Sequence, residues 1–189
     1  NPGGEGAGEA LRGAIADELG IGDVLPGVLP QPAHARLQAP RQQEIVVVGS
    51  QAILGSFPDA PAELQVSREA DLYPRRHPER ADLIDGSIGE GSPFDSTFGY
   101  YAQGVSPTTA ILPAGWAERL VAIRGGALRG ATALCLEVHD LAISKYVAGR
   151  PKDALFTREL ARHQMTQEAT LLARLKVTQL AQPLRELVT

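Results

Sequence analysis

The stretch Glu44-Ile45-Val46-Val47-Val48-Gly49-Ser50-Gln51-Ala52 decides the fold of this chain. Its apolar run ends abruptly in a glycine and a serine, which predicts a buried strand over residues 45–48 and a tight turn into a helix. Pro58 and Pro61 lie beyond this helix, which is predicted over residues 51–56. A helix that starts at a strand end presents backbone N–H groups, so this turn suits a phosphate group. The alternative is an ordinary strand-to-helix turn, which can have the same two residues.

Two carboxylates, Glu69 and Asp71, follow in the next predicted strand, which covers residues 64–73. Residues at i and i+2 of a strand point to the same face, so the two carboxylates can converge on one cation. The alternative is that both are surface carboxylates on an edge strand. The residues alone leave both interpretations open.

The remaining segments predict a mixed sheet followed by helices. Further strands are predicted at residues 100–105, 109–112, 120–123 and 133–138. Further helices are predicted at residues 78–84, 140–148, 151–163 and 166–175, with a Gly/Ser loop at 85–92. Asp140 and Thr166 are candidate N-caps. This order predicts an α+β fold with a mixed β-sheet, flanking helices and a helical C-terminal tail.

The N-terminal part has a different composition. Leu11, Ile15 and Leu19 predict a short amphipathic helix, and residues 20–43 are rich in proline and glycine. That segment is a linker, a lid, an arm that packs on another subunit, or an ordered surface loop. We therefore expect an N-terminal helix and arm over 1–43, a core over 44–138 and a C-terminal helical region over 139–189.

Composition restricts the class of protein. At 189 residues the chain forms one domain, or one domain with a small appendage. The net charge of −4 argues against a general nucleic-acid coat protein but allows a local basic groove. No apolar run approaches the roughly 20 residues of a membrane span, so we expect a cytoplasmic protein that does not contact the membrane. The single cysteine, Cys135, is predicted to be buried in the core.

Some charged residues have an ordinary interpretation beside the functional one. Lys145 could reach phosphate groups from its helix, or be a solvated lysine. Asp153 could complete a metal site or orient Lys145, or favour the dipole of its own helix. Glu137 could be a third acidic ligand or a partner of Arg124.

The basic set just after the carboxylates could guide an RNA acceptor or phosphate groups, or be a solvated helix face. Its members are Arg75, Arg76, His77 and Arg80. The histidines His77, His139 and His163 lack metal-ligand spacing. No Ser-His-Asp arrangement stands out.

Residues 44–163 resemble the small bacterial nucleotidyltransferase-like proteins of the DNA polymerase beta superfamily. The resemblance is closest to a group once catalogued as a domain of unknown function and related to nucleotidyltransferase toxins of abortive-infection toxin–antitoxin systems. It rests on the apolar strand with Gly49-Ser50, on the acid-x-acid segment Glu69-Ala70-Asp71, and on Leu136-Glu137-Val138-His139-Asp140-Leu141-Ala142-Ile143-Ser144-Lys145.

The resemblance implies a site and an activity. The glycine–serine turn would bind an NTP, the acid-x-acid pair would hold Mg²⁺ as the cofactor, and a helix lysine and a following acid would contribute to catalysis. The residues so implied are Gly49, Ser50, Glu69, Asp71, Lys145 and Asp153. The implied reaction is transfer of a nucleotide to an RNA or protein acceptor, as a possible toxin with a cognate antitoxin.

Two departures from the pattern of these relatives favour an alternative. The first metal acid is Glu69, where the superfamily usually has aspartate, and the interval between Gly49 and Glu69 is longer than usual. A longer side chain would shift the metal relative to the phosphates. The alternative is a non-catalytic interaction protein that keeps the fold, either an antitoxin or a partner-binding module.

Overall fold

A five-stranded mixed sheet forms the centre of the computed structural model, which describes residues 43–124 and 131–180. The strands are β1, Glu44–Val47; β2, Glu69–Pro74; β3, Tyr101–Gly104; β4, Val121–Ile123; and β5, Thr132–Cys135. Their order across the sheet is β3-β2-β1-β5-β4. β1 is parallel to β5 and antiparallel to β2, β2 is parallel to β3, and β4 is antiparallel to β5. The apolar β1 therefore lies in the middle, where Ile45 and Val46 are fully buried.

Helices and short turns surround this sheet. The helices are α1, Ile53–Ser56; α2, Asp82–Ile88; α3, Pro93–Phe98; α4, Val138–Ala148; α5, Pro151–Arg162; and α6, Glu168–Lys176. Four 3₁₀ turns lie at Ser50–Ala52, Ala62–Leu64, Pro78–Arg80 and Trp116–Glu118. α1 packs on β5 so closely that a Cβ at Gly55 would lie 2.5 Å from the Cβ of Cys135, which is buried as predicted. The predicted α+β class is confirmed.

Several predicted boundaries are wrong, each for a local reason. β2 begins at Glu69, not at residue 64, because Leu64 ends a 3₁₀ turn and the Gln51 side chain donates to the carbonyl of Ser67 in the segment before the strand. Residues 109–112 form no strand. The loop predicted at residues 85–92 is helical as far as Ile88, and α3 follows directly after it. The cap of α3 was readable in the sequence, since the Ser92 side chain accepts from the N–H of Asp95 beside Pro93.

The helix caps near the C-terminus also differ from the prediction. Glu137, not Asp140, caps α4, by accepting from the N–H groups of His139 and Asp140. Gln167, not Thr166, precedes α6. The predicted end of α4 at Gly149 is confirmed, with a positive φ of 64° that favours glycine.

A buried ion group holds α4 against its neighbours. The carboxylate of Asp140 is fully buried and accepts two hydrogen bonds from the guanidinium of Arg119, at 2.8 and 3.0 Å. The Nε of Arg174 on α6 lies 3.4 Å from the same carboxylate. This group anchors the start of α4, the helix that carries Lys145.

The predicted helix at residues 11–19 and nearly all of the predicted arm lie outside the described residues. The division of the chain into three regions stays a prediction.

Candidate functional site

The turn after β1 brings Gly49 and Ser50 against the carboxylate strand. The N–H of Val48 donates to the carbonyl of Asp71 at 2.9 Å, so the end of β1 is held beside Asp71. A Cβ on Gly49 would overlap the Oδ2 atom of Asp71. Glycine is therefore required here by the close approach of the carboxylate. Ser50 begins the 3₁₀ turn that leads into α1.

Glu69 and Asp71 share one face of β2, as their spacing predicts. Ala70 and Leu72 are buried on the other face, whereas both carboxylates are half-buried. Burial raises the pKa of Asp71, and the charge of Glu69 together with hydrogen bonding to it raises that pKa further. The nearby Lys145 opposes this shift. Two carboxylates that repel each other in a half-buried position favour a cation between them.

These two carboxylates fit a magnesium ion by their chemistry and their surroundings. Mg²⁺ prefers oxygen ligands, and one or two carboxylates with substrate phosphates are its usual partners. The absence of a side chain at Gly49 lets Oδ2 of Asp71 pack directly against the turn, where any other side chain would intrude. Glu69 and Asp71 are therefore the residues that would hold the ion.

Lys145, Asp153 and Arg150 form a second charged group beside the carboxylates. The Nζ of Lys145 on α4 lies 3.4 Å from Oδ1 of Asp153, and both side chains are buried. The guanidinium of Arg150 donates to the two oxygens of Asp153 at 2.6 and 3.2 Å. Burial raises the pKa of Asp153, but the hydrogen bond from Arg150 and the charge of Lys145 outweigh burial, so the pKa is lowered.

The pKa of Lys145 is also displaced from its ordinary range. Burial lowers it, and this effect outweighs the opposing charges of Asp153 and Asp71. Because Asp71 acts on Lys145 and Lys145 acts on Asp71, the two charged groups influence one another directly. Phe156 on α5 lies beneath the ammonium, with its ring centre 5.7 Å from Nζ. Charged residues that are far apart in the sequence thus influence one another's pKa values at this site.

An open cleft of about 540 Å³ adjoins these residues. Of the six residues implied by the resemblance, Ser50 and Glu69 line it, while the other four pack next to them and are not part of its wall. Lys152 lines the cleft as well, with its Nζ 4.0 Å from Oε2 of Glu69. A cleft of this size holds a nucleotide-sized ligand.

Sequence reasoning gave no role to three residues that the structure places at this site. They are Tyr101, Arg150 and Lys152. A signal existed for Arg150, because Pro151 opens α5 and puts Asp153 in its first turn, where the preceding residue is within reach. Tyr101 could not be found this way, since only the register of β3 pairs it with Glu69.

The basic set after β2 lies away from the cleft. Arg75 follows the opposite end of β2 from Glu69, roughly 20 Å along the strand at about 3.3 Å per residue. Arg75 and Arg76 pair with Glu44 at 3.6 and 3.7 Å. These side chains are therefore poorly placed to guide an acceptor to Glu69.

One further group has the geometry of a metal site. Atoms of Glu63, Glu159 and His163 lie within 4.8 Å of one another. The guanidinium of Arg162 pairs with both carboxylates, at 3.2 Å to Glu63 and 2.9 Å to Glu159. The positive charge that this group needs is thus already supplied by the protein.

The chain belongs to the protein family described as "nucleotidyltransferase of unknown function (DUF6036)", whose sequence profile matches residues 32–171. No curated protein and no solved structure matches the chain. The match covers the turn after β1, the carboxylate strand and the Lys145–Asp153 group, so a general nucleotidyltransferase-like role follows. Within residues 43–124 and 131–180, no helix is long and apolar enough to cross a membrane.

Proposed function

We propose that this protein binds a nucleoside triphosphate and Mg²⁺ in the cleft beside Glu69 and transfers the nucleotide to a hydroxyl of an RNA or protein acceptor. The observation that carries the proposal is the packing of Gly49 directly against the Asp71 carboxylate, beside Glu69. A phosphate-binding turn and a same-face carboxylate pair are the two parts that such a reaction requires. The basic side chains next to them supply the remaining charge.

Each part of the site has a separate task in this reaction. The turn at Gly49 and Ser50 would bind the triphosphate, and the bound ion would neutralise charge on its oxygens. Lys145 and Lys152 would offset the charge that builds up on the leaving pyrophosphate. The acceptor hydroxyl forms the new bond to the α-phosphorus, the bond to pyrophosphate breaks, and the hydroxyl proton passes to solvent in the open cleft that Glu69 lines.

The proposal is tested by transfer of an α-labelled nucleotide to pools of RNA and protein. The wild type should label one pool in the presence of Mg²⁺, and Glu69→Gln should lower that rate by about a hundredfold or more because one ligand charge is lost. Glu118→Gln, an exposed carboxylate on a 3₁₀ turn, is the matched control and should leave the rate unchanged. Wild-type protein that neither labels a pool nor binds nucleotide with Mg²⁺ would contradict the proposal.

Glu69→Asp tests the unusual glutamate. If the longer acid impairs metal binding, the shorter one should raise the transfer rate. If Glu69 is adapted to the longer segment before β2, the rate should fall.

A second candidate is a non-catalytic module that binds a nucleotide or partner without transfer. It is favoured by the cations that already surround the carboxylates, since Lys145 and Arg150 act on Asp71 and Lys152 lies 4.0 Å from Glu69. These cations would neutralise the site without a metal. Nucleotide binding that is independent of Mg²⁺, together with no transfer, would identify this function.

The proposal also includes the superfamily and the biological role of the protein. Membership of the DNA polymerase beta superfamily and kinship with the abortive-infection toxins are supported by the turn and the acid-x-acid strand. A toxin role predicts that the cleft residues are needed for growth arrest when the protein is expressed in bacteria, in the cytoplasm. Expression of Glu69→Gln beside the wild type tests this.

A further inference from the structure

A second, smaller cavity lies directly beside the cleft. Its volume is about 190 Å³, and it shares three wall residues with the cleft, Val66, Ser67 and Arg68. Gln51 lines the cavity, while its neighbour Ser50 lines the cleft. A ligand that extends past the turn after β1 can therefore reach both spaces. Since pockets for drug-sized ligands measure roughly 300–1,000 Å³, this cavity suits a single small group.

The charges of the wall favour an uncharged group. Arg68 is the one cation of the wall, and its guanidinium is already engaged, donating to Asp95 at 2.7 Å and to the carbonyl of Gly99 at 2.6 Å. A phosphate would therefore have to share this guanidinium with Asp95, which already neutralises its charge. No other wall residue carries a charge.

The polar groups of the wall are suited to hydrogen bonding with a heterocycle. Gln51 and Gln65 line the cavity, and their side-chain NH₂ groups donate to the carbonyls of Ser67 and Ala60, which leaves the amide oxygens as available acceptors. Tyr100 also lines the cavity, and its hydroxyl is buried and has no hydrogen-bond partner among the described residues. A buried hydroxyl without a partner costs free energy that a ligand could recover.

The cavity also offers an aromatic face. Phe98 is 52% exposed although it packs on Phe94, with ring centres 4.7 Å apart. An exposed phenyl ring beside a small cavity suits the stacking of a planar ring, and stacking on aromatic side chains is a common way to hold a base.

We propose that this cavity binds a nucleobase, held by stacking on Phe98 and by hydrogen bonds to Tyr100 and the two glutamine side chains. The inference deepens the proposed nucleotide transfer and rests on it for the identity of the ligand. The base could belong to the nucleoside triphosphate or to the acceptor RNA.

Two variants test the cavity while leaving the charged site intact. Phe98→Ala removes the stacking surface, and Tyr100→Phe removes only a hydroxyl without a partner, so the latter should fold at least as stably as the wild type. The matched controls are Leu83→Ala, an exposed apolar side chain on α2, and Tyr146→Phe on α4, neither of which lines the cavity. Binding is measured with Mg²⁺ for the four NTPs, for inorganic tripolyphosphate and for a short single-stranded RNA.

If the cavity binds the base of the triphosphate, Phe98→Ala should weaken NTP binding roughly fivefold or more and leave tripolyphosphate binding unchanged. Tyr100→Phe should weaken it by about three- to tenfold. If the cavity binds an acceptor base, RNA binding should fall by these factors while NTP binding is unchanged. Variants that alter neither NTP nor RNA binding would overturn the inference.

Free nucleosides separate this inference from the proposed function. They carry no phosphate and need no metal, so they probe the cavity even if tripolyphosphate and NTPs fail to bind the wild type. Nucleoside binding, followed by amide shifts in NMR and reduced in Phe98→Ala, would support the cavity alone. If nucleosides leave the amides of residues 65–70 and 98–100 unshifted in a protein that also binds neither NTPs nor RNA, the inference is wrong.

Discussion

Asp71 is a site residue whose ionised form lowers the stability of the fold. Its pKa is raised by burial and then by Glu69, so the folded protein prefers its neutral form. A carboxyl group with a raised pKa contributes stability that is present below its unfolded pKa of about 3.9 and is lost as the pH rises through the folded value. At neutral pH the ionised Asp71 therefore works against folding, and a bound cation would relieve this.

Asp71→Asn should accordingly unfold at a higher temperature than the wild type at pH 7, and the difference should vanish below about pH 4. The same variant should lose the stabilisation by Mg²⁺ with nucleotide, because one ligand charge is gone. Thermal unfolding followed by circular dichroism across this pH range measures both effects. A variant less stable than the wild type at pH 7 would show that Asp71 is a structural partner instead.

Removing Asp153 from its buried pair with Lys145 should cost more stability than removing Lys145. Asp153→Ala should lower the free energy of unfolding by about 3–5 kcal/mol, since it removes the carboxylate that is paired with the buried ammonium. Lys145→Met should cost less, about 1–2 kcal/mol, because Arg150 still donates to both oxygens of Asp153. Urea unfolding at pH 7 compares them, and equal losses would contradict the assigned partners.

The pH dependence of Asp153 has the opposite sign to that of Asp71. Its lowered pKa means that its stabilisation is present above the unfolded pKa and disappears as the pH falls through the lower folded value. The cost of Asp153→Ala should therefore shrink in strong acid. Nucleotide binding should weaken in both variants, because Lys145 loses either its charge or its position.

At the scale of elements, alanine substitutions at two glycines, one in the turn after β1 and one in α2, should have opposite effects. Gly49→Ala places a methyl group into the Asp71 carboxylate and should displace it, lowering Mg²⁺-dependent nucleotide affinity more than tenfold. Gly86→Ala lies within α2 with no atom within 4 Å of the new Cβ, and should stabilise the protein by about 0.5–1 kcal/mol. Titration with nucleotide and urea unfolding check the two effects. If Gly49→Ala binds nucleotide normally, the turn is not part of the site.

Element types could be predicted better than element boundaries. The apolar run before Gly49 and the same-face spacing of Glu69 and Asp71 depend on local periodicity, which the sequence carries directly. The strand predicted at residues 109–112 is wrong because a short run of Thr, Ala, Ile and Leu satisfies a strand pattern without a neighbour to pair with. Instead, the adjoining Pro113 makes an isolated bridge to Thr178, which is distant in sequence.

At the scale of the whole molecule, ligand binding should stabilise the fold that holds the site. The wall of the cleft includes residues from the turn after β1, from β2, from β3 and from α5, so a ligand that contacts these elements ties them together. Mg²⁺ with an NTP at 100 times its Kd should add about 2.7 kcal/mol and raise the unfolding midpoint by roughly 5–10 °C. Mg²⁺ alone and NTP with EDTA are the controls, and a midpoint unaffected by Mg²⁺ with NTP would contradict binding at this site.

The sequence by itself determined the α+β class, the glycine–serine turn after β1 and the shared face of Glu69 and Asp71, because each depends on local spacing and periodicity. Only the tertiary structure decided that Gly49 touches Asp71, that Arg150 and Lys145 share Asp153, and that a second cavity adjoins the cleft. It also decided that Arg75 lies at the far end of β2. These relations join residues far apart in the chain, and the pairing register of strands and the packing of helices, which bring them together, are not encoded in local periodicity.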